Sequence, residues 1–178
     1  MESNSINLEI LPEPNFSLRS EVMILDLQWN KILDQPEKFC CEIVNETFER
    51  CLMRRQFVLG LLSEVSIVLT ENKFIQKLNK QYRNLDKPTN VLSFPNIENF
   101  NSKDTILGDF CLIGDIVISY EMVLEESQKA KKPMLNHFAH MLVHGMLHLM
   151  GFTHNNDYDS REMESLESLI LDHFGYSD

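Results

Sequence analysis

Five histidines lie close together in the second half of the chain: His137, His140, His144, His148 and His154. A neutral imidazole binds a divalent metal through a ring nitrogen. Two imidazoles at i and i+4 on a helix stand about 6 Å apart along its axis, close enough to share one ion. His144 and His148 have that spacing. Gly151 follows as a residue suited to end a helix in the left-handed conformation. His154 comes three residues later, where a returning chain can bring a third imidazole to the same point. The pattern is H-x-x-x-H-x-x-G-x-x-H. Three nitrogen ligands leave a fourth position open, the arrangement of a catalytic rather than a structural zinc. The same donors also suit nickel or copper. The expectation is one Zn2+ per chain, held by His144, His148 and His154.

The same spacing occurs in metzincin proteases, H-E-x-x-H-x-x-G-x-x-H, where the glutamate after the first histidine is the general base. Here that position is Gly145, which can neither hold nor transfer a proton. Peptide hydrolysis by that route is not expected. On a helix, His137, His140, His144 and His148 project into one arc of about 80°. Each ring N–H in an apolar setting needs a partner. His137 reads as a core histidine bonded to a backbone carbonyl. His140 is open between a support for the ligands, a substrate-facing group and a packed residue. His173 reads as structural.

The elements that must position these residues follow from periodicity. No Asp, Glu, Lys or Arg lies between Pro133 and Asn156. The four histidines and the marginal length argue against a membrane span, so the spacing predicts a buried helix over 134–150, opened by Pro133. A strand is expected over 21–29. A helix from Pro36 to about Leu62 would turn Phe39, Ile43, Phe48, Leu52 and Leu59 to one face. Val65–Thr70 reads as a buried strand and 71–82 as a helix with Lys73, Lys77 and Lys80 on neighbouring turns. Turn residues 86–90 lead into a strand Val91–Phe94, stopped by Pro95. A loop is expected over 96–106, and two strand pieces around Gly114-Asp115 within 108–119. Helices over 120–131 and about 159–173 complete a single α/β (α+β) domain over residues 1–178.

Composition bounds the partners. With 178 residues, 43% apolar and 24% charged, the chain is neither disordered nor fibrous. A net charge of −11 disfavours coating of nucleic acid or of anionic lipid. The charge is uneven: residues 50–87 carry eight basic against three acidic residues, and residues 155–178 seven acidic against Arg161 alone. The basic middle is either a solvated face or a contact for a polyanion. Cys40, Cys41, Cys51 and Cys111 form no C-x-x-C and are too few for a disulfide scaffold. The first residues, Met1-Glu-Ser-Asn-Ser-Ile, carry no basic segment before an apolar run, and a cytoplasmic location is expected.

Three segments resemble one family. His144-Gly-Met-Leu-His-Leu-Met-Gly-Phe-Thr-His154 resembles the H-G-x-L-H-L-x-G-Y-D-H signature of the YbeY family, bacterial endoribonucleases of ribosomal RNA maturation. Leu78-Asn-Lys-Gln-Tyr-Arg-Asn-Leu-Asp-Lys-Pro-Thr-Asn-Val-Leu-Ser-Phe-Pro95 resembles its L-N-x-x-Y-R-x-x-D-K-P-T-[DN]-V-L-S-F-P. Gly114-Asp-Ile-Val-Ile-Ser119, with Leu107-Gly-Asp as a weaker copy, resembles its L-G-D-[IV]-x-I-[SC] strand. The resemblance covers about residues 64–175. It departs at Phe152-Thr153, where the family pattern has Tyr-Asp.

The resemblance implies a mixed β-sheet packed with helices, with zinc on the central buried helix and the turn after it. It implies hydrolysis of single-stranded RNA in ribosomal RNA processing, including 3′-end maturation of small-subunit (16S) ribosomal RNA, and ribosome quality control. The family's functional arginine falls on Arg83, which would clamp a phosphate bidentately. Without the resemblance, Arg83 reads equally as a surface residue paired with Asp86 or a neighbour. Expected partners are RNA, the ribosome and its assembly proteins, with no membrane and no DNA. Lys73, Lys77, Lys80 and Lys87 would steer the RNA backbone, and Tyr82 would stack on bases, whereas Phe94 reads first as a core residue and only second as a stacking one. No acidic general base is visible, so water and the RNA 2′-hydroxyl both stand as nucleophile. Two other functions fit the residues: a metallohydrolase of another substrate class, and a non-enzymatic ribosome assembly factor with a structural zinc.

Overall fold

The computed structural model describes residues 17–55, 62–97 and 110–176. Its elements run β1 (Ser17–Ile24), a short 3-10 helix (Leu27–Lys31), α1 (Pro36–Arg55), β2 (Leu62–Thr70), α2 (Asn72–Arg83), β3 (Val91–Pro95), β4 (Phe110–Ser119), α3 (Tyr120–Ala130), α4 (Met134–Leu149) and α5 (Asp157–Phe174). The four strands form one mixed sheet in the order β1-β2-β4-β3, an α+β architecture. β1, β2 and β4 are parallel, and β3 runs antiparallel on β4.

The helices divide between the two faces of the sheet. On one face, Val65, Ile67 and Leu69 of β2 and Ile113, Ile116 and Ile118 of β4 join the buried side chains of α1, α3, α4 and α5. On the other, Ile75 of α2 packs on Leu92 of β3 and Val117 of β4. Alternate residues of β4 therefore serve opposite cores, as a strand's two-residue period requires. α4 contacts α1, α3, α5, β3 and β4. It is the buried helix that its charge-free sequence predicts.

Several boundaries differ from the sequence expectation. The first strand ends at Ile24 rather than 29, because Asp26 is a cap: its carboxylate accepts from Gln28 N–H at 3.0 Å. The 3-10 turn then drives Trp29 into the core, 4.4 Å from the Phe138 ring and 5.4 Å from that of Tyr120. In α1, Phe39, Ile43 and Phe48 are buried, joined by Cys40, Val44 and Cys51. The helix does not reach Leu62, which opens β2; Leu59 lies outside the described residues. The expected loop at 96–106 and the weaker Leu107-Gly-Asp copy fall mostly outside them too.

The two strand pieces around Gly114 are one strand. Leu112 pairs with Glu64 and Gly114 with Val65, so Ile113 is an extra residue in a bulge. Gly114 has φ +148°, and a Cβ there would run into the Phe94 carbonyl of β3. Gly145 of α4 is a second close approach: a Cβ would lie 2.9 Å from Ile116 Cγ2 and 3.2 Å from Ser93 Oγ.

These contacts predict an order of stabilities in urea denaturation. Gly114→Ala meets both strain and a backbone oxygen and should cost about 1–3 kcal/mol or more. Gly145→Ala should cost less, since about 1 kcal/mol of helix propensity offsets part of the overpacking. A Gly114→Ala protein as stable as the parent would contradict the assignment.

Candidate metal centre

From Phe138 to Met150 every residue of α4 and its cap is buried except His140, His144 and His148, which are half-buried. The apolar side chains enter the core and the imidazoles share the opposite edge. The helix ends as the glycine predicts. Gly151 has φ +79°. Its N–H donates to the His148 carbonyl at 3.1 Å, and Phe152 N–H to the Leu147 carbonyl at 3.0 Å. This bond pair is a Schellman motif. It seats Phe152 in the core and turns His154 back over the last turn. The ligand nitrogens of His144, His148 and His154 lie within 4.8 Å of one another. The His154 ring stands 5.2 Å from each of the other two, centroid to centroid.

The protons on these rings are set by their partners. His148 Nδ1 is 3.0 Å from the Phe152 carbonyl, which can only accept, so Nδ1 carries the proton and Nε2 the lone pair. His144 Nδ1 is 2.8 Å from Glu167 Oε1, and the same logic bares its Nε2. The two Nε2 atoms face each other at 3.0 Å. Two lone pairs at that distance repel unless a cation lies between them. Nitrogen ligands about 2.0–2.1 Å from a tetrahedral ion stand about 3.3 Å apart, so the residues present fit a divalent metal. A second, overlapping set of donors, His140, His144 and Glu167, also lies within 4.8 Å.

Arg83 comes from the other side of the sheet. α2 ends at Asn84, a left-handed cap with φ +59°, and Asn79 Nδ2 ties the following loop through the Lys87 carbonyl at 2.8 Å. Asp86 is taken by Lys80 at 2.6 Å and by Gln76, not by Arg83. Arg83 Nη2 instead donates to the Ser93 carbonyl at 3.4 Å, and Ser93 Oγ donates to the Gly145 carbonyl at 3.0 Å. Two hydrogen bonds thus link the exposed guanidinium to the residue beside His144. Tyr82 exposes 57% of its surface and meets Phe94 edge-on at 5.1 Å. Lys73, Lys77 and Lys80 are exposed on the face of α2 opposite Ile75, and Arg83, three residues after Lys80, lies about 60° from it around the helix.

The remaining histidines find carboxylates. His137 Nε2 meets Glu126 at 2.8 Å rather than a backbone carbonyl, and Asn90 donates to the same oxygen at 2.9 Å. His140 lies 3.5 Å from Glu167 and lines a cleft of about 540 Å³ between α4 and α5. His173 is 3.9 Å from Glu46. Thr153, in place of the family aspartate, donates to Asp159 at 3.2 Å. Glu126 and Glu167 escaped the sequence reading. Glu167 had a signal: it sits on the apolar stripe of α5 with Met163, Leu166, Ile170 and Leu171. Burial alone would raise its carboxyl, but the hydrogen bonds to His140 and His144 and the charges of those rings outweigh it and hold it at about 2.

Burial, and then the charges of His144 and His154, lower the His148 pKa from 6.5 against the raising effect of the Phe152 carbonyl. The neutral, metal-binding form therefore persists to lower pH than in a free imidazole. Just below pH 6.5 the folded, metal-free chain binds fewer protons at this site than the unfolded one, so the site removes stability as pH falls through that window. An NMR titration of the metal-free protein should place the His148 midpoint below 6.5. A midpoint at or above 6.5 would contradict the burial argument.

Comparison with known proteins identifies the family. A sequence model of the YbeY family, described as Endoribonuclease YbeY, matches residues 26–175. The chain is 36% identical to the Wolbachia endoribonuclease YbeY over 157 residues, 88% of this chain and 96% of that one. It is 45% identical to the Bradyrhizobium diazoefficiens endoribonuclease YbeY over 117 residues, 65% of this chain and 63% of that protein's length. It is 46% identical to the Colwellia psychrerythraea protein of the same name over 114 residues, 64% of this chain and 70% of that one. The fold is similar to the solution structure of a Thermotoga maritima protein, with TM-score 0.54 and 23% identity over 86% of this chain and 87% of that one. A sheet and helices in this order, three ordered motifs and a family match across nearly all described residues place the chain in the YbeY endoribonuclease family.

Proposed function

We propose that this chain is a zinc-dependent endoribonuclease, one YbeY-like domain over residues 1–178, that cleaves single-stranded RNA. Its membership in an endoribonuclease family makes RNA-cleaving hydrolysis the activity, and the two other functions considered from sequence are not favoured. The proposed pathway is ribosomal RNA processing, including 3′-end maturation of 16S ribosomal RNA, with ribosome quality control. The proposed partners are small-subunit ribosomal RNA and the ribosome or its assembly proteins, in the cytoplasm. No helix among the described residues is long and apolar enough to cross a membrane.

The observation that carries the reading is the pair of bared Nε2 atoms of His144 and His148, 3.0 Å apart, with Arg83 linked to the same stretch of helix through Ser93. His144, His148 and His154 would hold zinc, and zinc there would supply Lewis-acid stabilisation of charge developing on a phosphate. Arg83 spends one weak hydrogen bond on Ser93 and keeps its other donors for the phosphate oxygens. Ser93 orients that arginine through its carbonyl and ties β3 to α4 through its hydroxyl. The exposed Tyr82 ring, beside Arg83 in sequence, offers a face for a base. Lys80 is engaged by Asp86, so the steering charge rests more on Lys73, Lys77 and Lys87.

Cleavage of a single-stranded RNA, measured beside bound zinc and melting temperature, tests the assignment. Arg83→Ala should keep zinc and fold while losing roughly 10²–10³ in rate, the usual cost of one preorganised donor. Arg83→Lys should recover only part, because an ammonium cannot make the paired contact. Full activity in a folded, zinc-loaded Arg83→Ala protein would reject the role. Binding should also weaken as salt rises, and Lys77→Glu should weaken it for all sequences alike. A flat salt response would leave the lysines as a solvated face.

A further inference from the structure

We propose that Glu167 is the positioning residue of the three-histidine centre: its carboxylate accepts the Nδ1–H of His144 and fixes that imidazole with its Nε2 lone pair towards His148 and His154. The inference rests on the three-histidine reading above.

The two ring nitrogens of His144 have different surroundings. Nδ1 meets Glu167 Oε1 at 2.8 Å, and Nε2 meets His148 Nε2 at 3.0 Å. An ionised carboxylate has no proton to give, so the ring is held in one tautomer and one orientation. An imidazole without that acceptor divides between two tautomers, only one of which presents Nε2 to a metal. His148 is oriented differently, by the Phe152 carbonyl, which the Schellman turn fixes in place. A side-chain substitution cannot remove that acceptor, but it can remove the one at His144.

Glu167 is costly where it stands. It is 8% exposed, on the same face of α5 as Met163, Leu166, Ile170 and Leu171. A buried carboxylate there is less favourable than an apolar side chain unless its partners compensate. Its partners are His144 at 2.8 Å and His140 at 3.5 Å. The second oxygen is turned to His140, and both residues line the cleft of about 540 Å³ between α4 and α5. The alternative role for the same atoms is direct ligation, since His140, His144 and Glu167 also converge.

The test uses the full-length protein, stripped of metal by a chelator and titrated with zinc against a chromophoric competitor. Glu167→Ala should weaken zinc binding about 10–100-fold, the usual effect of losing such a partner. Glu167→Gln, isosteric and still carrying an acceptor oxygen, should lose less. In nitrogen-15 NMR of the metal-free protein at mildly alkaline pH, His144 should carry its proton on Nδ1 in the parent and in Glu167→Gln. It should divide between Nδ1 and Nε2 in Glu167→Ala. Parental affinity and an unchanged His144 tautomer in Glu167→Ala would overturn the inference. An altered cobalt(II) absorption spectrum in Glu167→Gln would overturn it in favour of direct ligation. His154→Ala is titrated in parallel. If it keeps zinc, the three-histidine reading fails. If it loses zinc while Glu167→Ala binds like the parent, only the role of Glu167 falls.

Discussion

Four imidazoles on a helix with no charged residue of its own pose a constraint that organises the rest of the molecule. Each ring brings a polar N–H into a half-buried setting, and an unpaired polar group there costs about 1–3 kcal/mol. α4 cannot supply the partners, so its neighbours do. α3 gives Glu126 to His137, α5 gives Glu167 to His140 and His144, and the turn after α4 gives the Phe152 carbonyl to His148. The packing of α3 and α5 against α4 is thereby fixed in register as well as in contact, because a shift of one residue would strand a carboxylate in the core. The same partners take the Nδ1 protons of His144 and His148 and leave both Nε2 atoms bare. A rule about burial thus produces a pair of converging lone pairs, which is the chemical requirement of a metal site.

Bringing a cationic group to that pair needs a second device. Arg83 belongs to a helix on the opposite face of the sheet. Its link to α4 runs through β3, against which α4 packs with Gly145 presenting no Cβ to Ile116, Val91 or Ser93. The Ser93 hydroxyl uses that closeness to bond the Gly145 carbonyl, and the Ser93 carbonyl receives Arg83. The bulge at Gly114 serves the same edge: it lets β4 pair with β2 on one side while passing beneath the Phe94 carbonyl on the other. Sheet, glycine and serine act together.

Local signals were legible in the sequence, and the failures were tertiary. The histidine spacing, the glycine that ends α4 and the absence of charge located the buried helix and its turn, because each depends on a few residues in series. For Arg83 the residues alone leave a phosphate clamp and a surface ion pair equally open, and the motif resemblance favours the clamp; Asp86 pairs with Lys80 instead. The misjudged first strand has a physical cause: Leu25-Asp26-Leu27 alternates like a strand, but Asp26 caps a turn that buries Trp29. Glu126 and Glu167 were missed because each meets its histidine only after two helices have packed, 11 and 23 residues apart in the chain. His137 was given a backbone partner for the same reason. A glutamate on an apolar helical stripe was the one visible trace of Glu167, and its meaning depends on knowing which helix it faces.

Gly145 also settles, on packing grounds, a question the sequence raised on chemical ones. In zinc proteases with this spacing, the residue after the first histidine is the glutamate that moves the proton. Here that position faces the sheet. Any side chain at 145 begins with a Cβ 2.9 Å from Ile116 Cγ2 and 3.4 Å from Val91 Cγ2. A glutamate would force α4 off β3, break the Ser93 bond and carry its carboxylate into the apolar layer between helix and strand. The position that holds the base in a protease here holds the helix against the strand that receives Arg83. With Arg83 in its proposed role, a backbone contact that supports a guanidinium stands where the protease has its general base. That exchange would favour a substrate bearing negative charge at the reacting centre, as a phosphodiester does, over a neutral peptide bond.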